Sequence, residues 1–336
     1  MSSAPATYTD TLSPKPHIGC GVALLLLVTI VAGCQSIPDI RSAAIRRLTG
    51  VSYSQIAWSP DSTRFLAVGL PSAPSTVSNL YLVDAKTGRA ERLSEISDEY
   101  SFPRWSPVGN KISFALWPAE VWTYDIQDRQ LALLSHGEGA VWSPSGDQIA
   151  VYVGSTVNDA PATPQMRFFA ADGTLIKTID LGPIGTIRQT LARGQAPLDA
   201  HEYLAGLAWS STHERIAFSL YTIIMGADDI HESYVLDLAS GQVDPLLLGQ
   251  PVGPLAFSPA GDYLAYVNLD DLGIWGSLRV ADGSGNCLYV PDIPPQARDV
   301  TWSPDGRSLG FLFHSSIHTL DMSRALLLAE GNTGCP

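Results

Sequence analysis

One phrase recurs along this chain and limits its fold more than any other feature. It consists of an aromatic residue, Ser, usually Pro, two or three turn residues, and then a short alternating apolar strand. It reads Trp58-Ser59-Pro60-Asp61 before Phe65-Leu66-Ala67-Val68, and Trp105-Ser106-Pro107 before Ile112-Ser113-Phe114. It returns at Trp142-Ser143-Pro144, at a degenerate Trp209-Ser210-Ser211, at Phe257-Ser258-Pro259 and at Trp302-Ser303-Pro304-Asp305-Gly306. A second phrase, a strand running into an Asp-to-Gly turn, accompanies it. Tyr81-Leu82-Val83-Asp84 leads to Gly88, and Tyr234-Val235-Leu236-Asp237 leads to Gly241. The turn chemistry is consistent throughout: Pro fixes φ, Asp or Ser caps nearby N–H groups, and Gly takes the positive φ.

Successive phrase aromatics stand 47, 37, 67, 48 and 45 residues apart. Such intervals suit a four-stranded blade, with one insertion in the long gap. The expectation is therefore an all-β fold, a six-bladed β-propeller of four-stranded antiparallel blades, with the phrase aromatics packed between blades. Only 16% of residues are charged, and the chain carries 29 Gly and 24 Pro, as strands joined by many tight turns require. The phrases resemble the TolB-like propeller repeat, whose hallmark is Trp-Ser-Pro-Asp-Gly followed by a short Ile-Ala-Phe strand. The resemblance covers residues 52–330 and implies the propeller fold. The 17 residues from 35 to 51 leave no room for the separate N-terminal α/β domain of the periplasmic TolB protein. The cellular role of TolB is therefore not implied with it. Residues 44–49 read as a strand that would close the last unit, in competition with residues 325–329.

Ahead of the repeats, residues 18–32 form an apolar run ending in Val31-Ala32-Gly33-Cys34. A short hydrophobic segment ending in small residues reads as a secretory signal. The Val-Ala-Gly-Cys ending resembles the lipobox of bacterial lipoproteins, which implies a lipid on Cys34 and removal of residues 1–33. An uncleaved membrane anchor is the other reading of this segment. The organisation expected is a signal over 1–33, a linker and closing strand over 34–51, the propeller over 52–330 and a tail over 331–336. The location would be extracytoplasmic, tethered to the cell membrane by an N-terminal lipid. Cys287 and Cys335 would be left as the remaining thiols, able to pair as a disulfide in an oxidising compartment.

The formal net charge is −13, and loss of Asp10 and Lys15 with the signal leaves it unchanged. That charge repels a phosphate backbone, so nucleic acid is not an expected partner. Length variation among the units falls on one face, in residues 71–79, 154–165, 182–202, 225–232 and 269–276. Variable loops on a rigid scaffold are where binding residues gather. The candidates there are Arg188, Arg193, His201, Glu202, Asp228, Asp229, His231, Glu232, Asp270 and Asp271. The acidic members could hold Ca²⁺ or Mn²⁺, or could simply be solvated loops; no cofactor is otherwise expected. His314 and His318 have a four-residue spacing, but they fall outside any helix that would align them on a metal.

No catalytic residue is assigned, because no nucleophile–base pair can be assembled and Gly-x-Ser-x-Gly is absent. The expected function is a non-catalytic module binding a protein, peptide or glycan on the long-loop face. The alternative is a propeller enzyme of lyase or lactonase type with a metal in its central channel.

Overall fold

The Ser of the repeated phrase explains why the phrase exists. In four units its hydroxyl accepts the N–H five residues later: Arg64 to Ser59 at 2.9 Å, Gln148 to Ser143 at 3.0 Å, Tyr263 to Ser258 at 3.1 Å and Ser308 to Ser303 at 2.9 Å. Each bond pins the start of one strand against the end of the one before it. All six phrase serines are buried, at 1 to 4% exposure, so their hydroxyls need such a partner. The Asp-to-Gly turns work the same way. Asp84 accepts from the N–H and the hydroxyl of Thr87, and these bonds hold its carboxyl below the usual carboxylate range. Gly88 then closes the turn at φ 74°.

The computed structural model describes residues 45–48, 52–70, 77–93, 98–154, 163–182, 184, 200–224, 230–246, 252–269, 276–282, 287–288 and 296–323. Strand β1 (Ile45–Leu48) comes first. The first sheet then holds β2 (Ser52–Trp58), β3 (Arg64–Leu70), β4 (Asn79–Asp84) and β5 (Ala90–Arg92). The second holds β6 (Tyr100–Trp105), β7 (Lys111–Leu116), β8 (Glu120–Asp125) and β9 (Gln130–His136). The third holds β10 (Gly139–Trp142), β11 (Gln148–Val153), β12 (Gln165–Ala170) and β13 (Leu175–Asp180). The fourth holds β14 (Ala200–Trp209), β15 (Arg215–Ile224), β16 (Ile230–Asp237) and β17 (Val243–Pro245). The rest of the chain supplies β18 (Val252–Phe257), β19 (Tyr263–Leu269), β20 (Gly276–Asp282), β21 (Cys287–Leu288), β22 (Ala297–Trp302), β23 (Ser308–Phe313) and β24 (Ser316–Asp321).

These last strands correct the expected blade count. The propeller has five blades, not six: four of four antiparallel strands, and one eight-stranded sheet shared by the fifth and sixth sequence units. The join is narrow. Gly276 of β20 pairs with Ala297 of β22, and the Gln296 N–H donates to the Gly276 carbonyl at 3.1 Å. A side chain at 276 would come within 2.2 Å of the Asn268 carbonyl oxygen, so only glycine fits at this joint. Counting turn phrases finds units but cannot tell when two of them share a ladder.

At the outer edge of the eight-stranded sheet β1 pairs antiparallel with β24, from Ile45 opposite Leu320 to Leu48 opposite Ile317. Strand β1 thus covers the outer edge of β24. Residues 325–329 lie outside the described residues. The innermost strands β2, β6, β10, β14, β18 and β22 adjoin in that order, and β22 returns against β2. A buried apolar cluster fills each junction between successive units. At the closing junction Leu312 and Ile317 pack on Tyr53, Ile56 and Phe65. Of the phrase aromatics, Trp58, Trp105, Trp142 and Trp302 are buried, and Trp209 and Phe257 are partly so. Among the described residues no helix is long and apolar enough to cross a membrane; residues 18–32 lie outside them.

Candidate functional site

Five of the six innermost strands depart from regular pairing with the strand beside them. Register shifts fall between Tyr53 and Gln55, Ser101 and Arg104, Leu204 and Gly206, Val252 and Leu255, and Ala297 and Val300. Bulges at such places re-aim side chains and free backbone groups from the ladder. Three polar residues then reach across to the next unit. Gln55 Oε1 accepts the Phe102 N–H at 2.5 Å. Glu138 Oε2 accepts the Leu204 N–H at 2.8 Å. Asp299 Oδ2 accepts the Ile56 N–H at 2.7 Å, while its Oδ1 takes the Val300 N–H at 2.9 Å. Asp299 therefore ties the last innermost strand to the first.

Asp299 is almost fully buried, and that burial pushes its carboxyl up to about 6. The Arg104 charge and the two N–H donors oppose the rise without cancelling it. Arg104 is half-buried, with Nη1 donating to the Pro103 carbonyl at 2.9 Å and Nη2 reaching from the second unit to the Leu207 carbonyl of the fourth at 3.4 Å.

On the face away from the Ser-Pro turns lies a cavity of about 240 Å³, built where β6 and β14 begin and β7 ends. Its lining includes Glu99, Tyr100, Phe102, Trp117, Glu138 and Tyr203. The Trp117 N–H donates to the Glu99 carbonyl at 3.4 Å, joining the β7–β8 turn to the strand beside it. Phe102 has a φ of 49°, a left-handed conformation that a bulky residue seldom adopts. Trp117 is 63% exposed, unusual for a large aromatic.

Glu138 owes its place to glycines. A Cβ at 154 would come within 1.9 Å of Glu138 Oε1, and a Cβ at 139 would meet Leu204 Cδ2 at 2.7 Å and the Phe102 ring at 2.8 Å. The run Gly137-Glu138-Gly139 thus threads one carboxylate between three units, and neither flanking position leaves room for a side chain.

Several residues singled out in the sequence stand elsewhere than expected. His201, Glu202, His231 and Glu232 are not loop residues, because β14, β15 and β16 run on beyond the other sheets. Tyr203 pairs with Tyr221 and Tyr221 with His231, so Tyr203, Tyr221 and His231 share one face of this extension with His201. The His231 ring stacks on Tyr221 at 4.6 Å between centroids. Glu202 lies on the other face and is buried, and Glu232 accepts from the Tyr234 hydroxyl at 2.9 Å.

His318 is packed between Phe311 and Phe313, each at 5.6 Å, whereas His314 Nε2 is 2.8 Å from Gln296 Oε1. Cys287 lies on β21. Cys34, Cys335, Arg188, Arg193, Asp228, Asp229, Asp270 and Asp271 lie outside the described residues. Among the described residues no group of three or more His, Cys, Asp and Glu could hold a metal.

Sequence reasoning missed Glu99, Arg104, Trp117, Glu138 and Asp299. One of them had a readable signal: Asp299 stands three residues before its phrase aromatic, the same offset as Gln55 before Trp58.

No family model matches the chain. Among solved structures it is similar to TolB from Acinetobacter baumannii, with 18% identity and a TM-score of 0.48 over 81% of this chain and 54% of that one. The chain thus spans about half the length of that TolB. It is also similar to a chain of the mitotic checkpoint complex, with 12% identity and a TM-score of 0.52 over 89% of this chain and 99% of that one. At such identities the likeness concerns the fold alone.

Proposed function

We propose that this protein is a lipid-anchored, extracytoplasmic propeller that binds a protein, peptide or glycan partner on its long-loop face and carries out no chemistry of its own. The observation that carries the reading is the cavity lined by Tyr100, Phe102, Trp117 and Tyr203, with Trp117 exposed. Rigid propeller scaffolds hold such a surface at little entropic cost, because its supporting residues are already ordered. The apolar run ending in Val31-Ala32-Gly33-Cys34 supports the tether, and the TolB-like phrases are in keeping with an extracytoplasmic setting.

Two measurements test this. A photoreactive residue in place of Trp117 should crosslink a partner from membrane fractions. The same residue in place of Val108, equally exposed at 67% but in the Ser-Pro turn of the same blade, should not. Equal capture at both positions, or none at either, removes the binding-face reading. For the tether, incorporation of a labelled fatty acid should be lost in Cys34→Ser, and labelling that survives the substitution removes the lipid assignment.

A further inference from the structure

The fourth unit departs from the repeat where the turn of the third should pack against it. Four units carry glycine four places after the phrase aromatic, as Gly109, Gly146, Gly261 and Gly306. At two of these the turn of the preceding unit occupies the space of a side chain. A Cβ at 146 would come within 2.3 Å of Val108 Cγ2, and one at 261 within 1.9 Å of Thr212 Oγ1. In the fourth unit the glycine is replaced by His213, which is exposed. The proline two places after the aromatic is replaced as well, by Ser211, whose hydroxyl donates to the Pro259 carbonyl at 2.6 Å. The fourth turn is thus fastened to the fifth unit, and on its other side, toward the third, lies a cavity of about 440 Å³.

We infer that this cavity binds a neutral carbohydrate, at a second site on the face opposite the one proposed for a partner. Its volume falls in the range of small-molecule sites. Its lining carries charges of both signs, Asp147 and Glu214 against Lys177. The hydroxyls of Ser145 and Ser143 hold the Asp147 carboxyl below the usual carboxylate range, so it is ionised at neutral pH. An anion would meet two carboxylates and a cation the Lys177 ammonium, while an apolar molecule would strip water from all three. A sugar hydroxyl both donates and accepts, so one uncharged ligand can serve groups of either kind.

The polar groups of the fourth turn suit such a ligand. The Trp209 indole N–H makes no hydrogen bond among the described residues, whereas those of Trp142 and Trp302 donate to Ser113 and Ala256. His213 Nδ1 lies 2.9 Å from Thr212 Oγ1, which orients the ring with Nε2 at its far end. Trp209 and Leu238 are partly buried, and the C–H face of a sugar ring would cover what they still expose.

The test is an array of neutral, anionic and cationic oligosaccharides probed with this chain, with free amino acids screened beside soluble sugars by thermal shift. Two variants install residues that other units already carry, so the fold accommodates both: His213→Gly, and Trp209→Phe after Phe257 of the fifth unit. Neutral glycans should bind, and in titration calorimetry each variant should lose about tenfold in affinity, the effect of one hydrogen bond. Trp117→Ala, on the other face, should leave that affinity unchanged, whether or not that face takes a partner. Binding of charged glycans alone, or a thermal shift with amino acids and none with neutral sugars, overturns the carbohydrate assignment. If no neutral glycan binds, or both variants bind it as well as wild type does, the site itself is overturned.

Discussion

Asp299 offers the sharpest test of how the propeller closes, through the variant Asp299→Asn. The carboxyl stands at about 6 in the folded protein, against 3.8 for an unperturbed group. Well below pH 3.8 it is protonated in both folded and unfolded chains, and its contribution to stability is complete. Between pH 4 and 6 the folded chain holds the proton that the unfolded chain has released, so stability falls as pH rises. The rise corresponds to about 3 kcal/mol, all of it lost by pH 7.

Asn has nearly the same shape and no charge. Its Oδ1 can keep the Ile56 N–H, but its NH₂ cannot accept from Val300, a loss of roughly 1–2 kcal/mol at every pH. Asp299→Asn should therefore be less stable than wild type at pH 4 and more stable at pH 7. The stability difference should swing by about 2 kcal/mol or somewhat more across that range. Urea unfolding at half-unit steps from pH 4 to pH 7 measures it. A difference that stays flat, or swings the other way, would refute the claim that burial outweighs the Arg104 charge at this junction.

Two further outcomes follow from contacts between units. Ser113→Ala should cost about 1–3 kcal/mol in denaturant unfolding, because it orphans the buried Trp142 indole N–H that its hydroxyl accepts at 3.1 Å. Gly154→Ala should cost about 1–3 kcal/mol by driving a methyl into Glu138 Oε1, and most of that cost should vanish in a Glu138→Ala background; a double-mutant cycle additive within about 0.5 kcal/mol would show that the two do not meet.

The repeat was legible because its chemistry is local. Ser59 and Ser303 each bond an N–H five positions on, and Asp84 bonds Thr87 three positions on, so a reader of the chain sees both partners at once. Strand boundaries were less so in the fourth unit. There His201, Glu202, His231 and Glu232 look like loop residues, yet they alternate between two faces of an extended sheet, and Glu202 is buried by its neighbours in spite of its charge. Hydropathy cannot register a polar residue whose burial is decided by tertiary contact.

The blade count failed for a related reason. One glycine lets β20 meet β22, and whether a bridge forms there depends on how two units come together, not on either unit's own phrase.

The channel is the extreme case. Asp299 finds its partner Ile56 a distance of 243 positions away, and that pairing exists only once the last unit has come round to the first. Positions that obey the repeat build the scaffold, and an aromatic followed by Ser serves them in every unit. Gln55, Glu138 and Asp299 do not repeat, since each answers the particular strand that happens to stand beside it. A propeller's individuality must lie in such departures: a symmetric set of innermost strands would present the same side chain from each unit and could not fix one orientation of a ligand about the axis over another. The Gly137-Glu138-Gly139 run that leads into β10 is such a departure, with two side chains given up to place a third. A carboxylate maintained at that cost, in a cavity with an exposed indole, is where selection for binding rather than for folding would leave its mark.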